Sequence, residues 1–531
     1  MTSKITKIER YKKEINLKDY YAKLDLLKES SLSEADRFYL KNFGIYNSVL
    51  KPKHFMLRLR IPGGRVTLEN LSTILKCAKE IDAKITLTSR AQIELQSISL
   101  KSAIKAHKLL FKEGISTFGT LTDNIRNIVT HPLDGIAKDA KIETIELILQ
   151  MQEEFIKIEN LSLVPRKFNT AIMGNITNFE PFWANDCYFC LAKKDETLGF
   201  KLFLGGKNTD FAQDMDIFVT KDEVVSLYIA VIKTYIKYGN RASRTKARLH
   251  YLLSELKVEG FKEALKEFYP KELTRGGEIL EKGVLKSDFY TLKNGTYAYC
   301  YRSDFAEVKI DEFEHILEYA DKNGCEIRLG VDQNIYILGL KEKSINLNSK
   351  ALAKDAKVCV GLKYCGMSIY DTKESAHNIN YSRLNALNIK TALSGCLKGC
   401  ARHISADIGF VGIRTNLYGE KEFAVRLYLG ALHNGAKPAR LIFWAVPLRY
   451  LNKMLDVILD EFEQSRYKTF EEFSLNTLNN FSNEFLALYF LKKLNRQKQA
   501  PLHKQKESKE PSELYNEIKE LERAIYNSIS L

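Results

Sequence analysis

The sequence predicts a mixed α+β fold that is built by internal duplication. Residues 66–95 align without gaps on residues 308–337. In each copy, apolar residues first recur at helical spacing and then alternate, which is typical of an amphipathic helix followed by two strands. A strand-like segment precedes each copy, at residues 54–61 and 296–302. These observations indicate that one helix-and-sheet unit occurs twice.

Two shorter matches continue the duplication downstream. Thr170–Gly174 resembles Thr391–Gly395, and Leu198–Gly206 resembles Phe423–Ala431. Either match alone is no longer than a chance similarity between two strands. Because all the matches occur in the same order, we expect two similar α/β halves.

The end of the chain departs from this plan. Residues 497–511 are polar and charged, as in a linker. Ser512 is a candidate N-cap for a helix with an apolar stripe, which can either join two copies of the chain or dock on its own chain. The stripe consists of Leu514, Ile518, Leu521 and Ile525.

The composition is that of a globular protein with a preference for anionic partners. The chain has 531 residues, of which 45% are hydrophobic and 28% are charged. Its N-terminal residues lack the apolar core of a signal peptide, and no apolar run approaches the ~18 residues of a membrane span. We therefore expect a cytoplasmic protein without a membrane partner. The formal net charge of +15 suits nucleic acid, acidic proteins or small anions.

Four of the nine cysteines form two close pairs. Cys359 and Cys365 have the spacing C-x5-C, and Cys396 and Cys400 have the spacing C-x3-C. Two loops that each supply two thiolates can hold an iron–sulfur cluster. Zinc is the competing metal, although structural zinc sites seldom use C-x5-C. Spacing alone leaves both alternatives open.

We expect the other five cysteines to pack in the core. Cys77, Cys300 and Cys325 fall in predicted helix or strand positions. Cys187 and Cys190 form a CYFC motif that could be redox-active, but the alternation with two aromatic residues indicates a strand.

The first half contains several cationic motifs next to glycines or strand ends. Arg58 and Arg60 lie in an apolar strand before Pro-Gly-Gly, where a buried cation needs an anionic partner. Several convergent cations predict a polyanionic ligand or a small oxyanion. The other members are Arg90, Arg126, Lys167 with Asn169, Arg244, Lys246 and Arg248.

The combined motif set resembles the siroheme-dependent nitrite and sulfite reductase family. The motifs are the two cysteine pairs, about thirty residues apart, and upstream MLRLRIPGG, DNIRN, PRKFN and KARLHYLL. The similarity runs from about residue 40 to about residue 465. It implies two ferredoxin-like half-domains, two siroheme-binding α/β domains and a C-terminal helical extension.

The resemblance also implies segment boundaries. The segments are an N-terminal helical segment (1–50), a first ferredoxin-like half-domain (51–122), a first siroheme and [4Fe–4S]-type domain (123–290), a second ferredoxin-like half-domain (291–345), a second siroheme and [4Fe–4S] domain with the cysteine pairs (346–470), and C-terminal helices with a charged linker (471–531).

Residue roles follow from the same resemblance. The four paired cysteines, Cys359, Cys365, Cys396 and Cys400, are implied to ligate the cluster, and Cys400 to bridge to the siroheme iron. Siroheme bears eight carboxylates, for which Arg90 and Arg248 are the candidate partners. Arg58, Arg126 and Lys167 match positions that face the substrate in the family.

Lys167-Phe168-Asn169 favours nitrite over sulfite as the substrate. Sulfite reductases of the family tend to carry a second lysine at the position of Asn169, which suits a substrate with roughly twice the charge of nitrite near neutral pH. The resemblance is closest to ferredoxin-dependent, assimilatory nitrite reductases, and sulfite reduction with the same cofactors is the alternative.

The electron donor is expected to be a separate protein. No Gly-x-Gly-x-x-Gly motif follows a predicted strand, and a basic surface suits an acidic, ferredoxin-like donor. We expect a monomer that binds no nucleic acid, although the C-terminal helix could mediate self-association. Two other functions compete: a precorrin-processing monooxygenase on the same scaffold, and a nucleic-acid-binding protein.

Overall fold

In the computed structural model, the described residues are 6–48, 50–158, 163–347, 349–434 and 436–527. They fall into two units, one from residues 1–207 and 211–350 and the other from residues 208–210 and 351–531. The six segments expected from the sequence are a finer division, which stays a prediction.

Three short helices begin the first unit. They start at Thr6, Asn16 and Ser33, whose side chains accept hydrogen bonds from the free N–H groups of the first turn. Residues 1–50 were expected to be helical, but they also contain a strand that pairs with the next one. The elements are α1 (Lys7–Glu14), α2 (Leu17–Ala22), α3 (Glu34–Tyr39) and β1 (Ile45–Ser48).

The first copy of the repeat is an antiparallel sheet with two helices. As predicted, the apolar stripe of its first helix is buried. The elements are β2 (Lys51–Arg58), α4 (Leu68–Glu80), β3 (Lys84–Leu87), β4 (Ile93–Ile98) and α5 (Leu100–Lys112), with the strand order β1-β2-β4-β3.

A second sheet follows, and three helices pack around it in one apolar core. The CYFC motif lies in a strand of this sheet, and both of its cysteines are buried. The elements are α6 (Ile145–Ile156), β5 (Thr170–Ile172), β6 (Thr177–Asn178), β7 (Cys187–Lys194), β8 (Thr197–Leu204), β9 (Gln213–Val219), α7 (Val224–Tyr238), α8 (Leu249–Lys266), β10 (Glu278–Ile279) and β11 (Lys282–Gly283). Strand β5 runs parallel to β7, and β7-β8-β9 are antiparallel.

The second copy of the repeat completes the first unit. Its elements are β12 (Phe289–Thr291), β13 (Tyr297–Tyr301), β14 (Glu307–Val308), α9 (Ile310–Lys322), β15 (Glu326–Leu329) and β16 (Ile335–Leu340). The gapless alignment is confirmed by strand register, since Ile85 pairs with Leu95 and Ile327 pairs with Ile337. Strand β14 joins the sheet of the first copy through β3, and Arg65 forms a bridge with Arg328 of the second copy. The two copies therefore exchange the segments that precede their helices.

The second unit is one mixed sheet surrounded by helices. Its elements are β17 (Ala356–Val358), α10 (Gly361–Tyr364), α11 (Thr372–His377), α12 (Tyr381–Ala386), β18 (Thr391–Ser394), β19 (Ile408–Thr415), β20 (Glu422–Leu429), β21 (Arg440–Pro447), α13 (Leu451–Ser465), α14 (Phe470–Asn476), α15 (Asn483–Leu494) and α16 (Pro511–Tyr526). The strand order is β17-β18-β19-β20-β21, with the first three strands parallel.

The downstream duplication is also visible in strand register. Thr391 pairs with Ile408 just as Thr170 pairs with Cys187, and both pairs are parallel. The predicted α+β, duplicated fold is therefore confirmed.

The C-terminal helix docks on its own chain. Leu514, Ile518 and Ile525 are buried, and the Tyr450 hydroxyl donates to the Ile525 carbonyl at 2.8 Å. The prediction that Ser512 caps this helix is wrong, because Pro511 occupies the first helical position and Glu510 the N-cap. Among the described helices, none has both the length and the apolar character needed to cross a bilayer.

Candidate functional site

Backbone hydrogen bonds bring two of the cationic motifs together in the first unit. The Arg126 N–H donates to the Phe168 carbonyl at 2.9 Å, and the Phe168 N–H donates to the Asn124 carbonyl at 3.0 Å. Phe168 lies between Lys167 and Asn169, so DNIRN and PRKFN form neighbouring backbone segments. Lys167 is half-buried, and the backbone N–H of Asn169 donates to Asp186 Oδ2 at 2.8 Å.

The side chains of Arg58 and Arg126 converge on one carbonyl group. Both guanidinium groups donate to the Thr120 carbonyl, Arg58 at 3.4 Å. Arg58 also donates from Nε to Glu94 Oε1 at 2.6 Å, which neutralises part of its charge. The structure therefore places two of the predicted substrate-facing cations next to each other.

Arg126 is buried but has no carboxylate partner among the described residues. Its NH2 group donates to the Thr122 carbonyl at 2.5 Å, and its Nε finds no acceptor in the described part of the chain. Burial lowers its pKa well below the usual value, and the neighbouring charges of Arg58 and Arg166 lower it further. A buried cation in this state gains free energy from a bound anion.

The anionic partner expected for Arg60 stays a prediction, because the described residues offer its guanidinium only carbonyl groups. We expected an anionic partner, but Arg60 donates to the carbonyls of Phe118 at 2.9 Å and Ile125 at 2.8 Å. The Phe155 ring lies 5.6 Å from its guanidinium. Burial lowers the pKa of Arg60 to about 10. Main-chain carbonyls are dipoles that satisfy part of this guanidinium, whereas its Nη1 finds no acceptor in the described part of the chain.

Arg90 and Arg248 are held by groups of the protein itself. Arg90 donates to Asn185 Oδ1 at 3.0 Å and to the Thr170 carbonyl at 3.1 Å. Arg248 makes a two-pronged ion pair with Asp186, at 2.8 and 2.7 Å. Burial lowers the pKa of a guanidinium, but the charge of Asp186 raises that of Arg248 above its usual value. The predicted contacts with cofactor carboxylates stay predictions.

The sequence reasoning missed a buried carboxylate beside these loops. Asp123 is buried and forms ion pairs with Lys12, Arg166 and Arg244. Burial raises the pKa of a carboxyl group, yet the hydrogen bond from Arg244 and the charges of Lys12 and Arg166 hold the pKa of Asp123 well below its usual value. The aspartate of DNIRN was the available signal, but its partners lie far away in the sequence.

In the second unit, sheet topology brings the cysteine pairs together. Cys359 directly follows β17, and Cys396 lies two residues after β18. Because these neighbouring strands are parallel, their carboxyl ends meet at one edge of the sheet. The Gly395 N–H donates to Cys359 Sγ at 3.1 Å. A Cβ atom on Gly395 would lie 1.9 Å from Ser368 Oγ, so the glycine permits this close approach.

All four thiols interact electrostatically. Burial raises the pKa of Cys359 to about 11, and the charge of Cys400 contributes. Burial also raises the pKa values of Cys365 and Cys396, again with a contribution from Cys400. Backbone N–H groups oppose these shifts by donating to the sulfurs; they belong to Gly361, Gly395, Met367, Ser368 and Lys398.

This donor set fits an iron–sulfur cluster. It provides four thiols and several N–H groups, and hydrogen bonds to sulfur are a means by which proteins tune such clusters. Within the described ranges, no three His, Cys, Asp or Glu side chains are close enough to hold a single metal ion.

Two family models match the first unit. A nitrite/sulfite reductase ferredoxin-like half domain matches residues 49–110, and a nitrite and sulphite reductase 4Fe-4S domain matches residues 121–273. Both matched regions are therefore similar to domains of nitrite and sulfite reductases. The four candidate cluster cysteines lie outside both matched regions, so the family models leave their role as a prediction.

Curated relatives of the family cover most of the chain. Ferredoxin–nitrite reductase of Synechococcus elongatus is 26% identical over 465 residues, covering 81% of this chain and 91% of the relative. Chloroplastic ferredoxin–nitrite reductase of Betula pendula is 28% identical, covering 73% of each chain. The sulfite reductase [NADPH] hemoprotein beta-component of Zymomonas mobilis is 24% identical, covering 74% and 78%.

The fold is shared with a solved structure. The Mycobacterium tuberculosis NirA protein superposes with a TM-score of 0.82, covering 91% of this chain and 97% of that chain. Sequence identity to NirA is 22%, so this likeness shows the fold alone.

Proposed function

We propose that this protein reduces nitrite to ammonia in a six-electron reaction, with a siroheme coupled to a [4Fe–4S] cluster as its cofactors. The observation that carries the proposal is the buried guanidinium of Arg126, which has carbonyl partners but no carboxylate in the described structure. Such a group suits a small oxyanion. The ferredoxin–nitrite reductases among the relatives support nitrite as that anion.

The residues of the second unit hold the metal centres in this proposal. Cys359, Cys365, Cys396 and Cys400 ligate the cluster, supported by the shared electrostatics of their thiols. Cys400 is the exposed member of the set, and we assign it the additional role of siroheme iron ligand. When bound, the siroheme and the cluster supply the site for the nitrogen of nitrite and deliver the electrons.

The residues of the first unit act on the substrate and the proton supply. Arg58 and Arg126 neutralise the charge of nitrite and orient its oxygens. Lys167 Nζ donates protons as the N–O bonds break. Arg90 and Arg248 bind siroheme carboxylates. Arg248 shares its charge with Asp186, so we expect Arg90 to make the larger contribution.

The proposal includes a separate electron donor and a reducing compartment. We propose an acidic, ferredoxin-like donor, because the chain carries a net charge of +15 and relatives are named ferredoxin–nitrite reductases. Turnover with such a donor should slow as salt screens the encounter, and salt-independent turnover contradicts this part. We propose the cytoplasm as the compartment, because cluster-ligating thiols stay reduced there. We propose a monomer, because α16 docks on its own chain.

The experiment that tests the proposal is steady-state turnover of the holoenzyme with reduced methyl viologen, comparing nitrite with sulfite. We expect the higher kcat/KM for nitrite. Residue 169 is an asparagine, so the site lacks the second lysine that suits the more highly charged sulfite. A higher kcat/KM for sulfite makes the protein a sulfite reductase instead, an alternative that the Zymomonas mobilis relative favours.

A further inference from the structure

A lysine of the N-terminal helix reaches the loops that carry the proposed substrate-binding cations. Lys12 lies in α1 and is buried. Its Nζ contacts Asp123 Oδ2 at 3.0 Å, in the loop that leads to Arg126. The same ammonium donates to the carbonyls of Val164 at 2.8 Å and Pro165 at 3.2 Å, just before Lys167. One side chain thus connects two segments that are about forty residues apart.

Further ion pairs hold the ends of this connection in place. On the helix side, Glu9 Oε1 accepts from Lys12 at 2.5 Å, and Glu9 Oε2 accepts from Arg241 at 2.8 Å. On the loop side, Asp123 Oδ1 accepts from Arg166 at 2.7 Å and from Arg244 at 2.8 Å. The side chains of Glu9 and Asp123 are almost fully buried. In such surroundings, removing one charge leaves its partner buried without compensation.

The connection matters for the position of the substrate cations. An ammonium group has three donors and no acceptor, and here they serve two carboxylates and two carbonyls. The loops that Lys12 joins are also paired through their backbones, at Arg126 and Phe168, and through the ion pair of Asp123 with Arg166. A change in the separation of these loops therefore displaces the Arg126 guanidinium relative to Lys167.

We infer that Lys12 is a positioning residue for substrate binding, which fixes the separation between the loop of Arg126 and the loop of Lys167. The inference rests on the proposed function. It assigns the N-terminal helix a part in substrate affinity, although none of its residues contacts the substrate. A misplacement of about 1 Å in an enzyme site is enough to change rates by large factors.

The test uses Lys12→Gln, Lys12→Arg and, as a matched control, Lys13→Met, which alters an exposed lysine of the same helix. KM and kcat for nitrite are measured on the holoenzyme with reduced methyl viologen, together with the visible absorption spectrum. We expect Lys12→Gln to raise KM about tenfold with kcat changed less than about twofold and the spectrum unchanged. Lys12→Arg keeps the charge and should restore most of the affinity. Lys13→Met should match the unsubstituted protein.

Several outcomes contradict the inference. If Lys12→Gln lowers the unfolding temperature while KM stays the same, Lys12 has only a structural role. The same conclusion follows if both Lys12 variants fail to fold, or if Lys13→Met raises KM equally. If the unsubstituted holoenzyme does not turn over nitrite at all, the proposed function fails. Normal turnover with an unchanged KM in Lys12→Gln contradicts only the role of Lys12.

Discussion

The sheet containing β5 in the first unit and the sheet containing β18 in the second share one plan but carry different chemistry. Ala171 bridges Val129, and the corresponding Ala392 pairs with Lys357. His131 lies two residues after Val129, and Cys359 lies two residues after Lys357. His131 and Cys359 therefore occupy matching positions. After the matching glycines 174 and 395, Asn175 takes the position of Cys396.

The two matched pairs of side chains behave differently. His131 is buried, and its Nδ1 accepts from the Leu133 N–H at 3.1 Å and lies 3.4 Å from Asn175 Nδ2. Cys359 and Cys396 are half-buried, and their sulfurs receive backbone N–H groups. The duplicated backbone therefore provides two equivalent positions, one in each sheet. The side chains form a hydrogen-bonded pair in the first unit, whereas those in the second unit are the proposed metal ligands.

The largest effect on activity should come from substituting one of the cysteines at the matched positions. Cys396→Ser removes one of the four cluster thiolates, so we expect loss of the cluster and a fall in turnover of more than about 100-fold. Iron and acid-labile sulfide analysis and nitrite turnover measure this effect. Asn175→Ser is the matched control and should retain both. Equal losses in the two variants contradict the division of roles between the two sheets.

The next largest effect on activity should come from replacing Arg126 in the first unit. Arg126→Met removes the guanidinium that we propose binds nitrite, and we expect kcat/KM for nitrite to fall about 100-fold, or about 2.7 kcal/mol. Siroheme absorption should be retained. Lys354→Met alters an exposed cation just before β17 and serves as the control. An Arg126→Met enzyme with normal kinetics removes Arg126 from the substrate site.

A smaller effect should appear in the pH dependence of stability. Burial lowers the pKa of His131 to about 4, compared with about 6.5 in an unfolded chain. The unfolded state therefore binds the proton first, and the contribution of His131 is complete above about pH 6.5 and is lost as the pH falls toward 4. Between pH 7.5 and pH 5 this amounts to about 2 kcal/mol.

Denaturant unfolding of the unsubstituted protein and of His131→Gln at both pH values measures this contribution. Burial also lowers the pKa values of His107 and His403 to about 4, so both proteins lose stability at pH 5. The loss should be smaller in His131→Gln by the stated amount. An equal loss in the two proteins shows that His131 is not held in a neutral, buried state.

The smallest effect should be on substrate preference. Asn169→Lys adds a second cation beside Lys167, and we expect the ratio of kcat/KM for sulfite to that for nitrite to rise a few-fold. Asn169→Met, which removes the amide without adding charge, should leave the ratio close to that of the unsubstituted enzyme. If both variants shift the ratio equally, charge at this position does not decide the preference.

More of the fold than of the candidate site could be predicted from the sequence. Because apolar periodicity sets strand register, the aligned residues 66–95 and 308–337 have the same register in the two copies, where Ile85 pairs with Leu95 and Ile327 with Ile337. The partners of individual side chains could not be predicted, because they lie far away in the sequence. The pairing of Arg248 with Asp186 spans 62 positions, and Lys12 reaches carbonyls more than 150 positions away. The surroundings of Arg60 could not be predicted either, because no sequence pattern reveals that main-chain carbonyl groups accept hydrogen bonds from its guanidinium.

In the proposed function, the second unit holds a [4Fe–4S] cluster coupled to a siroheme, while the matched place in the first unit holds no metal. The most direct measurement is the visible absorption spectrum of the purified holoenzyme combined with its iron and acid-labile sulfide content per chain. We expect siroheme bands, four sulfides, and iron for one cluster plus one siroheme. Iron and sulfide without siroheme bands, or zinc in place of both, would contradict it.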